Sequence, residues 1–158
     1  QGRQGFMRLR RIETPDKRNY MALLLLADEQ PSMIDRYIDR GEMFALVESE
    51  VRAVCVVTKE GPGIYEVKNM ATVPAYQRQG YGRRLLAMIL EYYQKNTEAH
   101  TLLVGTGDSP ATIGFYEACG FVRSHVVKNF FTDYYDHPIM ENGQQLVDMI
   151  YLKFEYDE

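Results

Sequence analysis

No stretch of this chain approaches the roughly 18 consecutive apolar residues of a membrane-spanning helix. The opening "QGRQGFMRLRRI" has no apolar signal core either, so no membrane partner and a cytoplasmic location are expected. Cysteine is scarce: Cys55 and Cys119 sit in the apolar runs "AVCVV" and "FYEACGF" without metal-ligand spacing, and read as free thiols in the core. The three histidines, His100, His125 and His137, are scattered with no H-x-x-x-H pattern, so they read as surface residues and no metal is expected. A basic excess is missing too. Against 18 Lys and Arg stand 22 Asp and Glu, a net charge of -4, which argues against a nucleic-acid partner because phosphate recognition shows itself as clustered positive charge. Any anion bound here is held locally.

What is present suits one core. With 158 residues, 46% apolar and 25% charged, the chain is long enough for a single well-buried domain and too short for two. Residues 1–6, which precede Met7, read in part as a cloning remnant, leaving one domain over residues 7–158. There are no repeats and no low-complexity segments.

Along the chain, "FMRLRRI" alternates as an opening strand. Residues 14–40 turn helical, with Thr14-Pro15-Asp16 as a start and "PSMIDRYIDRG" as a second short helix ending at Gly41. "MFALVES" and "VRAVCVVTK" form a hairpin turning near Glu50; "EGPG" is a loop, and "IYEVKNMATV" a strand that runs into Pro74. Apolar residues from Leu85 to Tyr93 recur at helical spacing between Gly80 and Asn96. "TLLVGT" reads as a strand buried on both faces, and "DSPATIGFYEACG" as a helix with Asp or Ser as N-cap, proline in its first turn and Gly120 beyond its end. "FVRSHVVKNFF" and "VDMIYLKFEY" read as extended, separated by the loop "TDYYDHPIMENGQQ". The order β-αα-β-β-β-α-β-α-β-β describes an α/β sheet with helices on its faces.

The stretch "NMATVPAYQRQGYGRRLL" places a glycine-lined turn between a strand end and a helix start. There the first backbone N–H groups lack partners and the helix dipole is positive, which makes an anion site. Glycine lets backbone N–H groups approach a ligand closely, and Arg78, Arg83 and Arg84 add charge. A pyrophosphate is the natural occupant, although a purely structural turn explains Gly-x-Gly equally well. Two nucleotide motifs are excluded: no Lys-Ser or Lys-Thr follows the glycines as a P-loop requires, and Leu85 stands where G-x-G-x-x-G needs its third glycine.

With "FYEACGF" further on, the stretch resembles the Gcn5-related N-acetyltransferase (GNAT) superfamily, whose signature is [RQ]-x-x-G-x-[GA] after a V-x-P strand end. Gln77, Gly80 and Gly82 occupy the signature positions and Pro74 the common proline. The resemblance implies a mixed, mostly antiparallel sheet with helices on both faces. It also implies acetyl-CoA as co-substrate, its pyrophosphate on the turn formed by Gln77, Arg78, Gln79, Gly80, Tyr81, Gly82 and Arg83. Its pantetheine arm would run along the backbone of Met70, Ala71 and Thr72, where Thr72 replaces the family's usual aliphatic residue. Counting back from Tyr116 sets Ser109 at the position of the family's cofactor-contacting Asn, a departure that puts that contact in doubt. By the same resemblance Tyr116 protonates the leaving thiolate, a role its hydroxyl fits chemically; core packing beside Phe115 and Phe121 is the alternative.

An attacking amine must first lose a proton. Glu66, on the strand leading to Met70, is the candidate base by position, a solvated strand glutamate the alternative. A backbone N–H near Met70 would stabilise the oxyanion, with direct attack in a ternary complex and no role for the cysteines as nucleophiles. Asp133, Asp136 and Glu141 beside Tyr134 and Tyr135 suit a cationic amine, whether small molecule or peptide, or else form a solvated acidic loop. The helices between Lys17 and Arg40 wall either a substrate pocket or a protein interface, a homodimer included. The expected function is N-acetyl transfer from acetyl-CoA to a primary amine; the rival is a non-catalytic CoA sensor or interaction module on the same fold.

Overall fold

A computed structural model describes residues 6–157. In chain order the elements are β1 (Arg8–Ile12), a 3-10 helix (Thr14–Tyr20), α1 (Met21–Ala27), α2 (Pro31–Ile34), β2 (Glu42–Glu48), β3 (Glu50–Gly61), β4 (Ile64–Thr72), a second 3-10 helix (Pro74–Tyr76) and α3 (Tyr81–Asn96). Then follow β5 (Thr101–Thr106), α4 (Pro110–Ala118), β6 (Val122–Val127), α5 (Phe130–Tyr134), β7 (Met140–Glu141), β8 (Gln144–Gln145) and β9 (Met149–Glu155). Seven strands make one sheet in the order β1-β2-β3-β4-β5-β9-β6. Among the described strands only β4 and β5 pair in parallel, so the sheet is mostly antiparallel.

The two faces follow from side-chain alternation along the strands. On one face Phe44, Leu46, Ala53, Cys55, Tyr65 and Val67 meet Leu85, Leu86, Ile89 and Tyr93 of α3 and Ile113 and Tyr116 of α4. On the other, Met43, Ala45, Val47, Val54 and Val56 meet Leu24 of α1 and Ile34, Tyr37 and Ile38 from α2 and the turns after it. Each fully buried Leu or Ile stabilises by about 1.5–3 kcal/mol, so burial on both faces holds the helices to the sheet. Helices cover both faces, as expected. No helix of the described residues is long and apolar enough to cross a membrane.

Four segments differ from the sequence reading, one being the helix expected to end at Gly41, which stops at Ile34 and continues as turns. The region opening at Thr14 is a 3-10 helix before α1 takes over. Residues 129–131, expected to be extended, instead begin α5, with Asn129 in the left-handed region at φ 58°. Aromatic pairs explain the helix: Phe130 packs on Tyr134 at 4.9 Å and Phe131 on Tyr135 at 5.5 Å between ring centroids, and residues four apart share a helix face. The loop that follows folds back on itself as the β7–β8 hairpin. The cloning-remnant expectation lies outside the described residues except at Phe6.

Candidate active site

β4 and β5 pair from Ile64 and Thr101 to Val67 and Val104, then part. β4 continues to Thr72 against β3 alone, and β5 to Thr106 against β9 alone. The register on β3 shifts between Val56 and Val57, which leaves Lys68 as the extra residue of a bulge. The bulge reverses which residues face which layer. Tyr65 and Val67 pack toward α3 and α4, whereas beyond it Ala71 packs on the α1 side. Asn69 turns the same way, and its amide nitrogen donates to the Leu24 carbonyl and the Tyr37 hydroxyl, each at 3.0 Å.

In the gap lies a cavity of about 430 Å³ walled by Asn69 and Met70 of β4, Gly105 of β5, Tyr116 of α4, Asp28 after α1 and Tyr135 after α5. Glu141 of β7 reaches the same wall, so part of the long acidic loop lines it, while Asp133, Tyr134 and Asp136 stay outside. A shallower groove of about 320 Å³ carries on past Met70, Ala71 and Thr72 to Gln77.

The groove leads to the start of α3. Gly80 is the N-cap, no side chain caps the helix, and its first turn holds no acidic residue. The first backbone N–H groups therefore point outward at the positive end of the dipole. Gly80 has φ 86°, which glycine alone adopts freely. At Gly82 an added Cβ would sit 3.6 Å from Thr72 Oγ1, an ordinary contact, so packing within the chain does not itself demand glycine there. Gln77 Nε2 donates to the Thr72 carbonyl and Gln79 Nε2 to the Ala75 carbonyl, both at 3.3 Å, bracing the turn. Arg78, Gln79 and Arg83 are exposed. The Tyr81 hydroxyl donates to Glu48 Oε1 at 2.7 Å.

Tyr116 is 8% exposed and packs edge-on against Phe115 and Phe121, at 5.1 and 5.7 Å between centroids. Burial, with lesser contributions from Cys55 and Cys119, pushes its pKa up. The phenol is a neutral proton donor on the cavity wall.

The chain and its fold are matched in known proteins. The acetyltransferase (GNAT) domain family matches residues 39–123. The chain belongs to the GNAT acetyltransferase family. As a GNAT acetyltransferase it is an acyltransferase. It is 36% identical to the uncharacterized N-acetyltransferase YvbK of Bacillus subtilis (strain 168) over 146 residues, covering 90% of this chain and 94% of that one. A GNAT family acetyltransferase from Elizabethkingia anophelis, solved with acetyl-CoA bound, superposes with a TM-score of 0.88 at 33% identity, covering 95% of this chain and 98% of that one. A Bacillus subtilis acetyltransferase in complex with CoA gives 0.85 at 33% identity, covering 96% and 99%.

Within this GNAT domain the sequence-derived residues fall in two groups. Met70, Ala71, Thr72, Gln77 and Tyr116 line one continuous depression, and residues 78–83 carry the chain from its end at Gln77 into α3. Ser109 and Glu66 do not line it. Ser109 is the N-cap of α4, 5% exposed, and its hydroxyl has no partner among the described residues; Thr112, one turn on, is on the cavity wall. Glu66 is 6% exposed and faces an adjoining cavity of about 190 Å³. Its carboxylate accepts from the Tyr151 hydroxyl at 2.9 Å and pairs with Lys68 at 3.2 Å.

Asp28 escaped the sequence reading. Its Oδ1 accepts from the Tyr135 hydroxyl at 2.8 Å and its Oδ2 from the Tyr37 hydroxyl at 3.0 Å. Burial pushes its carboxyl up, against the pull of those two hydrogen bonds. Only its place after an apolar run hinted at a role, because its partners are far away in sequence. Among the described residues no group of three His, Cys, Asp or Glu side chains gathers to hold a metal.

Proposed function

We propose that this GNAT acetyltransferase moves the acetyl group of acetyl-CoA to a primary amine by direct attack in a ternary complex. One observation carries the reading: the parted strands open a groove that joins Tyr116 to the uncapped start of α3. The pyrophosphate would rest on the backbone N–H groups of residues 80–83, with Arg78 and Arg83 adding charge at the rim. The pantetheine would lie along β4 from Met70 to Thr72, where the sheet edge is unpaired on the β5 side. A backbone N–H beside Met70 would hold the developing oxyanion. Tyr116 would protonate the departing thiolate, its phenol being raised by burial and the residue lining the cavity. Ser109, turned away from the groove, would contribute through the start of α4, and Glu66 through its charge one cavity away.

Thermal unfolding in the presence of acetyl-CoA, CoA, ATP or NAD tests this. A ligand at about 100 times its dissociation constant stabilises by about 2.7 kcal/mol, a rise of roughly 5–10 °C for a domain of this size. The rise is expected with acetyl-CoA and CoA alone. In Gly82→Asp it should vanish, since a carboxylate at the helix start repels phosphate and fills the groove. An equal rise in that variant would remove the turn as the pyrophosphate site.

A further inference from the structure

We propose that Asp28 receives the ammonium group of the acceptor in the large cavity and takes its proton, so that the acceptor is a cationic primary amine. The inference rests on the acetyl-transfer reading and extends it to the acceptor. Asp28 lines both the 430 Å³ cavity that holds Tyr116 and the 190 Å³ cavity beside it. Two phenols hold its carboxylate in place. The Tyr37 phenol also accepts from Asn69, so three segments converge on this carboxylate.

A second observation points to the same ligand. Asn69 is 3% exposed, lies on the cavity wall, and its Oδ1 has no partner among the described residues. Its orientation is fixed, because the Leu24 carbonyl can only accept and so must face the amide nitrogen. A buried acceptor left empty costs about 1–3 kcal/mol. An alkylammonium brings three N–H donors and would satisfy both Asp28 and Asn69 Oδ1.

The surrounding charge agrees. Glu29 and Glu141 add negative charge to the wall, and its cation, Lys68, is paired with Glu66. From the adjoining cavity Arg36 and Arg40 also face Asp28, but Arg40 is bound to Glu60 at 3.1 Å and Arg36 lies over the Tyr134 ring at 5.0 Å. Tyr151 on that side donates to Glu66. Glu66, so engaged, shares no wall with Tyr116; Asp28 does.

The step balances as follows. Asp28 takes one proton from the ammonium, and the freed nitrogen lone pair forms the C–N bond as the C–S bond breaks. The thiolate leaves with the Tyr116 proton, and the nitrogen's second proton returns to the Tyr116 phenolate. Asp28 then releases its proton to solvent. Burial, which raises the Asp28 carboxyl, narrows the gap between it and the amine.

Calorimetry on the CoA-loaded protein would compare phenethylamine and butylamine with phenethyl alcohol and butanol, and acetyl transfer to the amines would be followed by thiol release. The wild type should bind the amines at least about tenfold more tightly than the alcohols. Asp28→Asn should lose that preference, lower kcat/KM about 100-fold and lack the acidic limb of the pH profile. Tyr135→Phe, which removes one donor to the carboxylate, should move that limb to higher pH. Both variants should keep the thermal rise with acetyl-CoA, which shows them folded. Equal binding of alcohols and amines, or an Asp28→Asn profile with its acidic limb intact, overturns the inference. Absence of the acetyl-CoA rise in the wild type instead overturns the reading beneath it, and this inference with it.

Discussion

At the scale of single residues, the role proposed for Tyr116 can be tested apart from cofactor binding. Its ring is packed in the core and the residue lines the cavity, so Tyr116→Phe keeps the packing and removes only the hydroxyl. Turnover should fall about 100-fold with acetyl-CoA affinity unchanged, as thiol release and calorimetry would show. Because burial raises the phenol, the wild-type rate should not decline through neutral pH on account of this group. Tyr116 and the residues of the glycine turn could be singled out in advance because each lies in a local motif, the turn before α3 and a tyrosine seven residues after Ser109, and their roles stand as proposals. Asp28 could not be singled out. Its meaning depends on Tyr37 and Tyr135, the latter 107 positions away, and "LADEQ" on its own is an ordinary loop.

At the scale of elements, the 3-10 helix at Thr14–Tyr20 is tied to the end of the α2 region by one side chain. Lys17 is 3% exposed and donates to the carbonyls of Ile38, Asp39 and Gly41 at 3.0, 3.2 and 2.6 Å. These carbonyls end a run of turns after α2, where a helix would leave them without partners. Lys17→Met fills the same space but orphans them, at a cost of about 3 kcal/mol, so the unfolding midpoint should drop by roughly 6–12 °C. A drop within about 2 °C would mean that water replaces the ammonium. Strong periodicity made the sheet strands and α3 readable in advance. The α5 turn was missed because Phe130 and Phe131 stand together like strand residues, and only their pairing with Tyr134 and Tyr135 reveals the helix. The bulge at Lys68 is a matter of register between two strands, which no single segment encodes.

At the scale of the whole molecule, the cavity exists because a segment after α1 and a segment after α5 meet over the parted strands. Besides the Asp28–Tyr135 bond, Gln30 Nε2 donates to the Tyr134 carbonyl at 3.2 Å and its Oε1 accepts from the Asp136 N–H at 2.9 Å. His137 adds the titratable tie. It contacts Asp136 at 2.6 Å and Glu29 at 2.7 Å, and these hydrogen bonds, Asp136 first, hold its pKa above the ordinary 6.5. A histidine raised in the folded state contributes a stabilisation that is full below its unfolded pKa and is lost as pH climbs through the folded one. The three side chains are exposed or nearly so, and exposed ion pairs contribute little to global stability. The effect should therefore be local. As pH rises from below 6.5 through the raised pKa of His137, amide exchange at residues 28–30 and 134–137, corrected for its intrinsic pH dependence, should quicken while the global unfolding midpoint barely moves. His137→Ala should abolish that pH dependence by leaving the wall in its loosened state throughout. A wall whose exchange stays constant over this range in the wild type would show that Gln30 and the two tyrosines hold it alone, and that protonation of His137 has no hold on the cavity.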